Sequence, residues 1–231
     1  EERFLPYSLP SVFKLRPDEV ILVFDRCTDR SLEIAKKIAK HFGYLQYTRF
    51  IELNTPSPEW NFRVAFLRRY GFKLAINDII LNTDADNILD GKIRKYLALI
   101  GRNNIGLISF SRKSYPPTFQ QCIANIVSTL VPRIGFTGVY AFSKRAWLET
   151  EDQESVKKVI RGEDTHLHLS ISKKYRTMFI KTDTIHLRPR ETADMHYCKG
   201  VVYWTTKRNP MWKAILHSIV YLRPVSYTHL T

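Results

Sequence analysis

The clearest pattern in the chain is an alternation of short apolar runs with amphipathic stretches. Val20 to Phe24 is continuously apolar between Pro17-Asp18 and Asp25, as expected of a strand buried on both faces. Leu32, Ala35, Ile38, Ala39 and Phe42 then share one helical face, with Asp29 or Ser31 as N-cap and Gly43 as the stop. Tyr44 to Ile51 reads as a second strand. Trp60 to Tyr70 has helical periodicity and a basic face of Arg63, Arg68 and Arg69. Ile79 to Thr83 reads as a third strand ending at Asp84. Asp90 caps a helix carrying Ile93, Tyr96, Leu97 and Ile100, and Ile105 to Phe110 reads as a further strand. This order predicts a single Rossmann-type α/β domain whose mostly parallel central sheet is flanked by helices. After Phe110 the alternation weakens. Helices are expected over Gln120 to Val131, Ser155 to Ile160 and Thr165 to Lys174. Short strands are expected over Val139 to Phe142, Met178 to Ile180 and Thr184 to Leu187.

Composition narrows the class. The chain has 231 residues, 44% of them hydrophobic, with only 9 Gly and 11 Pro, which excludes disordered and fibrous proteins. Cys27, Cys122 and Cys198 have no metal-ligand spacing and fit a reducing compartment, hence a cytoplasmic placement. No apolar run approaches the roughly 18–20 residues of a membrane span. The net charge of +14 calls for an anionic partner: a nucleic acid, a membrane surface or a phosphorylated substrate.

The acidic residues are few, and their positions are informative. Asp84 and Asp86 end an apolar strand, where open α/β sheets bind ligands. In extended chain their side chains project to one side. Two carboxylates about 6 Å apart repel by roughly 2–3 kcal/mol at an effective dielectric near 20, which a divalent cation or a sugar hydroxyl would relieve. A solvated loop leading to the Asp90 cap is the alternative. Asp25 ends the first strand and would reach the same sheet edge if the two strands are parallel, whereas Asp29 suits a helix cap. Glu163-Asp164 reads either as a general base beside an electrophile or as acids at the positive end of a helix. His186 reads either as a core histidine or as a borderline metal ligand.

Taken together, these segments resemble the family 2 inverting glycosyltransferases of GT-A fold. Asp25 to Ser31 (DRCTDRS) resembles their nucleotide-binding acidic element, with Phe24 where the first acid usually stands. Leu81 to Leu89 (LNTDADNIL) resembles the DxD strand end, and Gly135 to Trp147 (GFTGVYAFSKRAW) the acceptor-side segment. Gly162-Glu163-Asp164 resembles the ED motif and His186-Leu187-Arg188 the late histidine. Glu1-Glu2 with Leu5, Leu9 and Ser11-Val12 resembles the helix that follows the family's first strand. Residues 1–195 are therefore expected to be an N-terminally truncated catalytic domain lacking that strand. The resemblance implies that Asp25 touches the nucleobase and Asp84 the ribose or donor sugar. Asp86 would ligate Mg²⁺ or Mn²⁺, with His186 as a further ligand. Asp164 would deprotonate the acceptor, and Gly135, Gly138, Glu163 and Arg188 would lie on the acceptor side. The implied reaction moves a sugar with inversion from a UDP- or GDP-linked donor to a glycan hydroxyl or a polyprenyl phosphate.

Residues 196–224 interleave Tyr197, Tyr203, Trp204, Trp212 and Tyr221 with Lys199, Lys207, Arg208, Lys213 and Arg223. This mixture suits peripheral contact with the inner face of a membrane or a lipid acceptor, with core packing as the alternative. Residues 225–231 carry no structural pattern and read as a non-native or frayed tail. Two other functions compete with the glycosyltransferase. One is a basic nucleic-acid-binding module, although the basic residues are dispersed and nucleic acid is not the expected partner. The other is a sugar nucleotidyltransferase, for which no Gly-rich phosphate loop is visible.

Overall fold

The computed structural model describes residues 1–115, 138–160 and 162–188. The Gln120 to Val131 helix, Gly135, the 196–224 segment and the 225–231 tail lie outside the described residues. The chain divides into two compact units, Glu1–Lys113 with Ile134–Leu187, and Ser114–Arg133 with Arg188–Thr231. The first carries all the elements below.

Its N-terminal half is a β-α-β unit preceded by a helix. Strand β1 (Val20–Asp25) pairs in parallel with β2 (Thr48–Leu53), in a register running from Val20 opposite Thr48 to Asp25 opposite Leu53. Helix α2 (Ser31–His41) crosses between them. It buries Ala35 and Ala39, one turn apart, and small residues there let the helix lie close to its neighbours. Helix α1 (Leu5–Lys14) adds Leu5, Leu9 and Phe13 to the same core, where Phe13 stacks on Tyr44 at 4.8 Å. Gly43, at φ +72°, ends α2 as the sequence predicts. The strand expected from Tyr44 begins instead with a 3₁₀ turn, Leu45–Tyr47.

Helix α3 (Arg63–Leu74) starts three residues later than its periodicity suggests. Asn61 is tied to the 157–158 segment, its N–H donating to the Lys157 carbonyl at 2.9 Å and its side chain to Lys158 at 3.1 Å. Phe62 is extended, so the helix cannot begin before it.

A second sheet comprises β3 (Ile79–Asn82), β4 (Asn87–Ile88), β5 (Ile105–Ser114), β6 (Tyr140–Ser143) and β7 (Arg176–His186) in the order β3-β6-β5-β7-β4. The α/β class is the one expected, but the pairing is mixed. Parallel pairing among the described pairs belongs to β1–β2, and β3–β6, β5–β6 and β4–β7 are antiparallel. Each antiparallel pair uses β6 or β7, which follow Phe110, where the alternation fades. Antiparallel neighbours need no helical crossover, so no such alternation is required there. β7 is one strand where two were expected. Thr182 sustains the ladder through its polar middle, donating from N and from Oγ1 to Ser111 at 2.7 Å each.

The remaining α-helices among the described residues are α4 (Ile93–Leu97), α5 (Lys144–Thr150), α6 (Gln153–Lys157) and α7 (Glu163–Ser172). The periodicity did not indicate α5. Ser143 Oγ caps it at the Ala146 N–H, and Trp147 is fully buried. β6 is buried along its whole length and serves two cores by alternation. Ala141 joins Ile93, Ile108 and Phe110, whereas Tyr140 and Phe142 join Phe72, Trp147, Leu167 and Ile171. Each buried Ile or Phe of these clusters contributes about 1.5–3 kcal/mol. They underlie the turn after β3, Arg112 on β5 and His186 at the end of β7.

Candidate active site

β3 stops at Asn82, and the chain turns through Asp84 to Asn87, whose N–H returns to the Asp84 carbonyl at 3.3 Å. The turn replaces the extended geometry expected for the two acids, and each carboxylate acquires its own partners. Asp84 accepts from Arg68 Nη2 at 2.5 Å and from Arg112 Nη1 at 3.4 Å. Asp86 is 5% exposed and its Oδ2 lies 3.2 Å from His186 Nε2. Ser8 on α1 donates to the intervening Ala85 carbonyl at 2.5 Å and braces the turn from below.

The Asp86–His186 pair follows from sheet register. β4 and β7 place Asn87 opposite His186, and the Leu187 N–H donates to the Asp86 carbonyl at 2.8 Å. A hard carboxylate beside a borderline imidazole suits Mg²⁺ or Mn²⁺, which keep other positions for phosphate oxygens and water. No group of three or more His, Cys, Asp or Glu forms a ready-made cation cage among the described residues. A cation at this pair would therefore complete its shell from a bound anion.

Asp84 is also joined to the acids of the 163–164 segment. α7 begins at Glu163, two residues before its expected start, so Glu163 and Asp164 both lie in the first turn, where the helix dipole favours negative charge. Arg68 hydrogen-bonds through Nη1 to Glu163 Oε1 as well as through Nη2 to Asp84. Burial pushes the Glu163 carboxyl above its ordinary range, with Asp164 adding to the rise and Arg68 opposing it. Asp164 is half-buried, accepts from the Thr165 N–H at 2.7 Å and acts electrostatically on Arg68 and Tyr140. The Tyr140 phenol is held in its neutral form by burial.

The next residue on α3 anchors the same helix end. Arg69 donates to the Glu163 carbonyl at 3.0 Å and to Glu151 Oε1 at 2.5 Å. Trp147 Nε1 also donates to Glu151, at 2.5 Å, and His166 Nδ1 lies 3.3 Å away. Burial works against the Glu151 charge, but His166, Arg69 and Trp147 bring its pKa down to about 2.

Asp25, at the end of β1, belongs to a different sheet from β3, and α3 links the two ends. Arg63 of α3 grips Asp25 through Nε and Nη2, the shorter contact being 2.6 Å, and reaches Ser57 through Nη1 at 2.9 Å. The Arg63 hydrogen bonds, against slight burial and helped by Arg26, lower the Asp25 pKa. The N-cap of α2 is Arg30, with no side-chain cap, and not Asp29 or Ser31 as expected; Asp29, one residue earlier, accepts from the Ser31 N–H at 3.1 Å and from the Glu1 amino group at 2.7 Å. Gly138 is buried against the Asp84–Arg112 pair, where a Cβ would stand 2.5 Å from Asp84 Oδ2. Arg188 follows β7, is exposed and falls in the second unit. Sequence reasoning noted Arg63, Arg68 and Arg69 as a basic helix face without giving them a role, and passed over Arg112.

Residues 1–148 match the family described as glycosyl transferase family 2. The chain belongs to this glycosyltransferase family. No curated protein matches the sequence. Among solved structures it is similar to glucosyl-3-phosphoglycerate synthase from Mycobacterium tuberculosis, in a complex with Mn²⁺, UDP and phosphoglyceric acid. That match has 16% identity and a TM-score of 0.55 over 98% of this chain and 76% of that one. The same synthase with Mn²⁺, UDP-glucose and glycerol 3-phosphate gives 15% identity and a TM-score of 0.53, over 98% and 78%. A structure described as a mycobacterial protein gives 13% and 0.56, over 98% and 73%. At these identities the neighbours establish a shared GT-A fold, and family membership establishes the chain as a glycosyltransferase.

Proposed function

We propose that this glycosyltransferase moves a sugar, with inversion, from a nucleoside-diphosphate sugar to a glycan hydroxyl or a polyprenyl phosphate. The observation that carries this reading is the single guanidinium of Arg68, which hydrogen-bonds to both Asp84 and Glu163. The 84–86 and 163–164 motifs, some eighty residues apart in sequence, thereby meet. UDP, UDP-glucose and Mn²⁺ in the complexes of the structural neighbour agree with a nucleotide-sugar donor.

In this reading Asp25, with Arg63 behind it, faces the nucleobase, and Asp84 faces the ribose or donor sugar. Asp86 and His186 would hold Mg²⁺ or Mn²⁺, whose contribution is to neutralise charge on the diphosphate leaving group. Asp164 accepts the proton of an acceptor hydroxyl. The acceptor oxygen forms its bond to the anomeric carbon from the face opposite the diphosphate, and the electron pair of the breaking bond leaves with the nucleoside diphosphate. Glu163 is assigned to the acceptor side, whereas Gly138, packed against Asp84, belongs beside the donor-side carboxylate. A polyprenyl-phosphate acceptor would place the enzyme in the cytoplasm at the inner face of the membrane, touching it through residues 196–224. No helix among the described residues is long and apolar enough to cross a bilayer. The deciding test is calorimetric titration with UDP and with GDP, in Mn²⁺ and in chelator. Metal-dependent binding of one nucleotide supports the assignment, and equal binding in chelator refutes the cation site.

A further inference from the structure

Arg68 is 13% exposed and lies between an acid of each motif. Its planar fork sends one terminal nitrogen to Asp84 and the other to Glu163, which is 7% exposed. A lysine ammonium on the same helix position could approach one of these carboxylates but could not span both in a fixed plane. Burial of such a group favours strong coupling between whatever it touches, because the surroundings screen poorly. Glu163 has little freedom to respond by moving away, since Arg69 fixes its carbonyl and ties that point to the buried Glu151. Any change in the position or charge of Asp84 is therefore felt by Glu163 through Arg68. The Asp84 carboxylate is the more exposed end, at 34%, and is shared with Arg112.

We propose that Arg68 is a positioning residue which couples the donor-side carboxylate Asp84 to Glu163 at the start of α7, so that occupation of the nucleotide site sets the acceptor-side helix. The proposal rests on the donor-site reading above and adds the statement that the two halves communicate through this one side chain. A plain structural role would have Arg68 only neutralising two acids, with no effect on how one half responds to the other.

The test is a double-mutant cycle on nucleotide affinity, using UDP with Mn²⁺ and the full chain. The proposed function assigns Glu163 to the acceptor side, so an effect of Glu163→Gln on UDP affinity that vanishes without Arg68 is one that Arg68 transmits. Glu163→Gln is expected to change the dissociation constant by about threefold or more when Arg68 is present, and not at all with Arg68→Met. Arg68→Met alone is expected to weaken binding by about tenfold. If Arg68→Met does not fold, Arg68→Lys takes its place in the cycle, retaining the charge but losing the span. Thermal unfolding of the same variants provides the structural control. Variants that lower the melting temperature but have independent effects on UDP affinity overturn the proposal. A wild-type chain that binds no UDP in Mn²⁺ refutes the donor-site reading, and the coupling with it; a wild type that binds, with additive variants, refutes the coupling alone.

Discussion

His186 Nε2 lies 3.2 Å from Asp86 Oδ2, although 100 residues separate them in the chain. The short β4–β7 ladder is what joins them, setting Asn87 opposite His186 and leaving the buried carboxylate and the imidazole side by side. This relationship gives the first prediction. Asp86→Ala should abolish Mn²⁺-dependent UDP binding, with a loss of about 100-fold or more, and His186→Ala should cost about 10-fold. Titration of UDP at fixed Mn²⁺ reads both. Wild-type affinity in the Asp86 variant would remove the cation from this site.

Gly138 supplies a second prediction. The Cβ of Gly138→Ala would stand 2.5 Å from Asp84 Oδ2 and 2.9 Å from Arg112 Nη1. One of the two side chains must move, at an overpacking cost of about 1–3 kcal/mol. The expected result is weakened nucleotide binding together with a modest drop in melting temperature. A drop in melting temperature with UDP affinity intact would mean that the Asp84–Arg112 pair has no part in holding the nucleotide.

The fold was largely legible because its first half uses patterns that burial enforces. The VILVF run forms the expected strand, the Ala35–Ala39 face packs inward and Gly43 ends its helix; the strand departs from expectation in that Ile21, Leu22 and Val23 stay partly exposed while Val20 and Phe24 are buried. The acids at 84–86 and 163–164 stood out as motifs in the sequence, and the structure sets Asp86 and His186 side by side. The partners of these acids could not be read from local pattern. Arg68 and Arg69 are neighbours on a helix whose basic face resembles a solvated one. Only the tertiary arrangement shows that this face turns inward, toward Asp84, Glu163 and Glu151. α5 escaped notice because its seven residues are too few to display a period, and its cap, Ser143, also ends a strand.

Glu151 and His168 contribute to the pH dependence of stability. Glu151 is fully buried and its pKa is lowered to about 2, so its stabilisation is complete above the ordinary carboxylate value of 4.5 and is lost as pH falls toward 2. Glu151→Ala strands Arg69 and is expected to cost about 3–5 kcal/mol at neutral pH. Burial, opposed by Asp164, lowers His168 to about 4 from 6.5. The unfolded chain then takes up a proton first, so stability falls as pH drops from about 6.5 to 4, by on the order of 2 kcal/mol after allowance for partial exposure. Urea midpoints measured across this range should flatten in His168→Gln. An unchanged slope in that variant would assign the dependence to another group.

Asp164 offers the test that separates the two acceptor classes. A sugar or other hydroxyl acceptor must lose a proton as it attacks, and a positioned carboxylate typically contributes 10²–10⁴ in rate to such a step. Asp164→Asn should then lower kcat by about that factor while leaving UDP affinity within about twofold, since Asp164 accepts its hydrogen bonds from Thr165 and its proposed partner is the acceptor. A polyprenyl phosphate is already ionised at neutral pH and needs no base. With that acceptor the same variant should keep kcat within about tenfold of wild type. Parallel assays of Asp164→Asn on a glycan and on a polyprenyl phosphate, with the donor held constant, therefore identify the acceptor from the size of the effect. A large loss on the phosphate acceptor would show that Asp164 acts by orienting the substrate and not by accepting its proton.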